Sequence, residues 1–248
     1  MIQNIFKIAL MLIVFLVNTE TQAQDQSTVI DMDGNVYQTI IIGDQVWMKE
    51  NLKATTFNEG TPIPCITDNK EWSGLSTPGY CWQGNNIDAY GALYNWYAVE
   101  TGRLCPKGWH VAIEEDWKQL EIAVGMPEDM ADKEGWRGSQ GGKLAGKKES
   151  WVNGALKHAP DFGSSRFHGL PAGNRLADNG LFGNMSTNAF WWSATEHDAD
   201  TALGRMLHYG STHIIKSAFE KQYGYCVRCV KDQPARENVN KEKDTKVH

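Results

Sequence analysis

No run of lysine and arginine long enough to grip nucleic acid occurs in this chain. Its 30 Asp and Glu outnumber 24 Lys and Arg, giving a formal net charge of −6, whereas a nucleic-acid binder carries a basic patch. Only Lys143, Lys147 and Lys148 gather. Beyond residue 17 no apolar stretch reaches the roughly 20 residues that a spanning helix needs. Internal repeats are absent, which excludes solenoids and propellers. The seven histidines are scattered, and no serine sits in a nucleophile elbow.

What is present begins with export. Lys7 precedes an unbroken apolar run, Ile8 to Val17, and Thr21-x-Ala23 follows as a small-residue cleavage site. This is the pattern of a secretory signal peptide over 1–23, and no lipid-attachment cysteine follows the run. Residues 24–30 read as a short linker, 31–232 as one domain, and 233–248 as a polar tail too poor in apolar residues to fold. After cleavage no membrane span is expected, so the localisation is secreted, periplasmic or cell-surface.

The mature chain holds Cys65, Cys81, Cys105, Cys226 and Cys229. In an oxidising compartment these are disulfide candidates first, and an odd number leaves one over. Cys226 and Cys229 have C-x-x-C spacing but fall in an expected strand, where residues three apart face opposite sides. They are therefore not expected to bond each other, and no second ligand pair is spaced for zinc.

Ten Trp and 24 Gly suggest a loop-rich fold with an aromatic core. Val36–Ile42 and Gln45–Met48 flank the turn signal Gly43-Asp44 and read as a hairpin. Asp31, Asp33 and Asn35 lack the glycine and glutamate places of a calcium loop and read as a turn. Tyr90, Leu93, Tyr94 and Tyr97 share one helical face, predicting a helix over 89–99 with Asp88 as its cap. Trp117, Leu120 and Val124 predict a second over 113–124, stopped by Gly125 and Pro127, with Glu114, Glu115 and Asp116 in its first turn. Residues 135–188 form a long irregular stretch punctuated by aromatics. Strands are expected over 189–196, 202–210 and 224–232. Cys105 stands at the Pro-Lys-Gly entry to the second helix and Cys229 in the closing strand. A bond between them would close a loop of over one hundred residues and contribute roughly 4–5 kcal/mol by loop entropy.

The segments "VYQTIIIGDQVWMKENLKATTFNEGTPIP", "YGALYNWYAVETGRLCPKGWHV", "HGLPAGNR", "FWWSATE" and "GYCVRCVKD" together resemble the Fibrobacter succinogenes major paralogous domain family over residues 30–232. The resemblance implies an exported bacterial protein, from groups such as the Bacteroidota. It also implies an α+β, C-type-lectin-like fold: two early helices, a twisted and mostly antiparallel sheet, and a long irregular loop region. It implies no reaction. The family often has cysteine at the places of Cys81, Cys105 and Cys229, and Cys65–Cys81 is the expected second pair. The family usually has Pro-Ser/Thr where this chain has Ala112-Ile113, so a helix cap worth about 1 kcal/mol looks lost.

Three readings of function follow, the last being a purely structural surface protein. The first is a non-catalytic recognition module for a glycan or protein, with Trp151, Arg175, Trp192, Glu196 and Asp198 as contact residues on the region 135–210. The second is an oxidase of the formylglycine-generating type, which shares the fold and uses cysteines near the closing strand. The Glu-Pro-Asn, Gln-Pro-Asp and Trp-Asn-Asp signatures of calcium-dependent lectins do not occur. No cofactor is expected; calcium is the one ion that the alternating Glu196, Asp198 and Asp200 could take. His110, between Trp109 and Val111, reads as a buried, hydrogen-bonded group.

Overall fold

A computed structural model describes residues 27–84 and 87–233. The signal segment and the tail from 234 lie outside the described residues. The expected hairpin forms: β1 (Thr28–Ile30), β2 (Val36–Ile42) and β3 (Gln45–Met48) are antiparallel, and Ile42 pairs with Gln45 across a turn in which Gly43 is left-handed at φ 60°. A short α1 (Asn69–Ser73) follows, with Asp68 accepting from the Glu71 N–H as its cap.

The helix expected over 89–99 is broken. In its place stand α2 (Ile87–Tyr90), a two-residue β5 (Leu93–Tyr94) that pairs with β4 (Tyr80–Cys81), and α3 (Trp96–Val99). Gly91 is the physical reason. Its φ is 79°, and a Cβ there would lie 2.6 Å from Asn51 Cβ, so the chain turns where packing is closest. Asn95 then restarts the helix, accepting from the Ala98 N–H at 3.1 Å. The proposed cap, Asp88, belongs to a segment whose side chain is not described.

Pro106-Lys107-Gly108 turns the chain from Cys105 into β6 (Trp109–Val111), a strand that helical periodicity does not show. Then comes α4 (Glu114–Ala123), as expected. Its missing cap is borrowed. Thr195, far along the chain, accepts from the Glu114 N–H at 2.9 Å, and the Asp116 carboxylate accepts from the Ile113 N–H. After α5 (Glu128–Ala131) come β7 (Gly135–Arg137), α6 (Gly141–Leu144) and the irregular region, which holds one small ladder of β8 (Asn174–Arg175) and β9 (Phe182–Gly183). The end of the chain supplies β10 (Asn188–Glu196), β11 (Thr201–His208), β12 (Ile214–Glu220) and β13 (Cys229–Lys231).

Two larger antiparallel sheets result instead of one, β1-β2-β3-β13-β6 and β10-β11-β12-β7, beside the two-stranded pairs β4-β5 and β8-β9. The fold is mixed α+β with few and short helices. β13 inserts between β3 and β6, so the last strand closes the first sheet. Cys229 is bonded to Cys105 across 124 residues. β10 is buried on both faces and separates two aromatic cores. Trp191 faces Trp47, Trp117 and Phe167, while Phe190 and Trp192 face Phe219 and Tyr225.

α4 is tied to the second sheet by charge. Glu121, fully buried, takes Arg137 through both carboxylate oxygens at 2.8 and 2.9 Å, and Arg205 Nε at 2.6 Å. Arg205 reaches on to Glu114, which also takes Lys216. Glu121→Ala would leave buried guanidiniums short of their counter-charge, and we expect a loss of about 3–5 kcal/mol in chemical denaturation. Cys105→Ser removes a cross-link over a long loop. It should lower stability by up to about 4–5 kcal/mol in the same measurement, whereas Cys226→Ser should leave stability much closer to the parent.

Candidate functional site

The residues singled out in the sequence do not converge. Trp151 and Trp192 are 2% and 0% exposed. Their indole N–H groups donate to the carbonyls of Gly146 and Tyr94, so both are core and neither offers a face to a ligand. Arg175 is also 0% exposed. Its guanidinium donates to the carbonyls of Ile66, Thr67, Asp68 and Gly180 and to Asn69 Oδ1, between the rings of Trp72 and Phe182. It fastens loops together. Glu196 is exposed but paired with Lys221. Asp198 closes a turn by accepting from the N–H groups of Asp200 and Thr201, which hold its carboxyl far below the usual range.

The cysteines divide similarly. Cys65 and Cys81 are free thiols, not a second bridge. Cys65 is paired in a bridge with Tyr80, and the next residue, Cys81, turns to the opposite core. Cys226 is free and buried, and burial pushes its thiol up to about 12. Among the described residues no three His, Cys, Asp or Glu side chains are placed to hold a metal ion. Asp31 instead closes the turn after β1, accepting from the N–H groups of Asp33 and Asn35.

A different set of residues meets in a cavity of about 250 Å³, lined by Gln38, Lys49, Glu50, Asn51, Ala89, Lys147, His168, Leu170 and Arg228. β2 and the segment after β3 supply one wall. The paired segments 145–147 and 168–170 supply the other, joined by the Gly146 N–H to Gly169 O bond at 2.8 Å. Gly146 must be glycine here, since a Cβ would meet His168 Nδ1 at 2.7 Å. Arg228, fully buried, lies behind. It donates to Asn51 Oδ1 at 2.7 Å and to the carbonyls of Met48, Phe167 and His168. Asn51 Oδ1 also accepts from the Trp191 indole.

The cavity lining is net positive, with Lys49, Lys147 and Arg228 against the single carboxylate of Glu50. Among the described residues no carboxylate lies within ion-pair distance of Lys49, Lys147 or Arg228. Burial pulls Arg228 down to about 10. Burial, then Arg228, Lys49 and Lys147, pull His168 down to about 4, so its ring is neutral at physiological pH. Lys147 and His168 also hold left-handed backbone, with φ of 46° and 60°. Such conformations cost non-glycine residues of order 1–3 kcal/mol and cluster at ligand sites. Lys147 belongs to the one basic cluster visible in the sequence, and His168 opens the "HGLPAGNR" segment; nothing in their spacing joined them to Lys49 or Arg228.

A larger, open groove of about 800 Å³ lies between the β2–β3 turn and α4–α5. It is rimmed by solvated carboxylates, and its Lys118 is engaged by Asp132 at 2.6 Å.

Cavity and fold together describe an α+β domain with a small, positively lined pocket and a disulfide-closed sheet. Residues 40–231 match the Fibrobacter succinogenes major domain, and the chain belongs to that family. No curated protein and no solved structure matches the chain.

Two histidines should report opposite environments by NMR titration. His110 is not buried but half-exposed, held between Asp116 at 2.9 Å and Asp232 at 2.7 Å, and the Asp116 hydrogen bond leads in raising it to about 8. Its contribution to stability is complete below its ordinary value of 6.5 and is lost as pH rises through 8. His168 should titrate near 4, and its buried neutral ring should cost stability as pH falls from 6.5 toward 4.

Proposed function

We propose that this protein is an exported, non-catalytic recognition domain for a glycan or protein at the cell surface or beyond it. The cavity around Lys49, Lys147, His168 and Arg228 receives an anionic group of that ligand. The observation that carries this reading is a set of three cations around one small cavity, Lys49, Lys147 and Arg228, against the single carboxylate of Glu50 and with no ion pair among them. Arg228 is buried and Lys49 half-buried, and a desolvated cation without an ion-pair partner favours an anion arriving from outside, which the exposed Lys147 can reach from solvent. The lining contains no thiol or hydroxyl, which suits holding a ligand more than attacking it. The Cys105–Cys229 bond supports an extracytoplasmic setting. Among the described residues, no helix is long and apolar enough to cross a membrane. A C-type-lectin-like relation is part of the same proposal, supported by the disulfide-closed last strand and the long irregular region before it.

The test is a glycan and peptide array, followed by affinity measurements on variants. Lys49→Gln with Lys147→Gln should weaken binding at least about tenfold, which is 1.4 kcal/mol, with melting temperature nearly unchanged. Lys147→Gly separates site from scaffold, because it relieves the left-handed backbone. Its stability should equal or exceed the parent's while binding falls. A ligand whose affinity ignores all three substitutions would place the site elsewhere.

A further inference from the structure

The cavity has more than positive charge, and the balance of its donors and acceptors narrows the ligand. We infer that the cavity takes the carboxylate-bearing ring of an acidic sugar, a uronate unit of a polysaccharide. This rests on the recognition reading above and adds the ligand's chemical class.

Size comes first. About 250 Å³ lies just under the range of roughly 300–1,000 Å³ that holds drug-sized ligands. It suits a single pyranose ring and not a folded peptide or a nucleotide. Composition comes next. Lys49 and Lys147 present ammonium donors at the mouth, and Arg228 sets the potential from behind. Beside them stand acceptors: the Glu50 carboxylate, the neutral ring of His168 and the Gln38 side-chain oxygen, which already takes Lys49 Nζ at 3.2 Å and has a second lone pair. Glu50 keeps acceptor capacity, since its Oε2 takes only the Gln38 N–H, at 2.9 Å. Leu170 and Ala89 add an apolar strip.

Each candidate anion can be tried against that inventory. A phosphate or sulfate group offers oxygen acceptors and at most one proton. It would satisfy the lysines but set its charge against Glu50, and it would leave the acceptor side of the cavity with nothing to accept. A peptide carboxyl terminus brings one carboxylate and one adjacent N–H, short of the several acceptors present. A uronate brings a single carboxylate for the lysines and several hydroxyls that donate to Glu50, Gln38 and His168. Its C–H face fits the Leu170 and Ala89 strip. The neutrality of His168 matters here, because an imidazolium would offer no acceptor nitrogen. The two left-handed residues, Lys147 and His168, then hold a cation and an acceptor side by side on one wall of a ring-sized space.

Calorimetry on the mature chain tests this. The probes are oligogalacturonate and a glucuronate-containing oligosaccharide, their methyl esters, a sulfated glycan, inorganic phosphate and a short peptide with a free carboxyl terminus. At least one uronate should bind. Its methyl ester should bind at least about tenfold more weakly, matching loss of one charge-assisted contact. Lys147→Gly should reproduce that loss, and Glu50→Gln should weaken the uronate while leaving phosphate unaffected or slightly better bound. Binding of sulfate, phosphate or peptide through the lysines, with no uronate binding, would overturn the sugar assignment and leave the anion site standing. If no anion binds, or if binding ignores the lysines, both the assignment and the site fall.

Discussion

A guanidinium removed from water must hand its N–H groups to acceptors, and four fully buried arginines impose that demand on this fold. They meet it in two ways. Arg137 and Arg205 share Glu121, which locks α4 to the second sheet. Arg175 and Arg228 use carbonyl oxygens instead, all but Met48 at the end of β3 drawn from segments that are neither helix nor strand. Long irregular stretches lack a ladder that would fix their shape. Here Arg175 gathers four loop carbonyls and Arg228 two with the end of β3, each around a rigid planar fork, a role that a lysine's point charge cannot fill. Only the Arg137 Nε, among the described arginine nitrogens that are buried, lacks a partner.

The same device builds the cavity. Arg228 precedes the closing strand, and that strand is held between β3 and β6 and bonded to Cys105. Its guanidinium therefore reaches from a fixed base to Asn51 and to the carbonyls of Phe167 and His168. This grip ties the carbonyl of the left-handed His168 to the base of the closing strand. The disulfide, the closing strand and the pocket are in this sense one construction, with the cross-link at one end and the cavity at the other.

Local pattern was legible where local forces decide. The β2–β3 hairpin follows from β-branched alternation around Gly43-Asp44, and α4 from the spacing of Trp117 and Leu120. The helix expected over 89–99 failed because its apolar spacing was real but Gly91 sits against Asn51, a contact with no trace in the local sequence. β6 and β12 escaped notice because three residues of edge strand and a run containing Lys216 and Ser217 show no clean period. Among the polar residues the reading inverted. Arg175, the residue chosen as a ligand fork, is a fully buried fastener, while Lys49 and His168 passed without comment.

Taken alone, the sequence determined the hairpin, α4, the pairing of Cys105 with Cys229 and the family. Each rests on composition, short-range periodicity or a motif carried intact in the chain. Tertiary structure decided which charged and aromatic side chains are buried, and so which can meet a ligand. Trp192 lies in a strand covered on both faces, and that cover comes from Tyr94, Phe219 and Tyr225, far away in the chain. The pocket draws on residues near 38–51, 89, 147, 168–170 and 228. Burial is a property of close packing between distant segments, and a one-dimensional pattern encodes only neighbours a few residues apart.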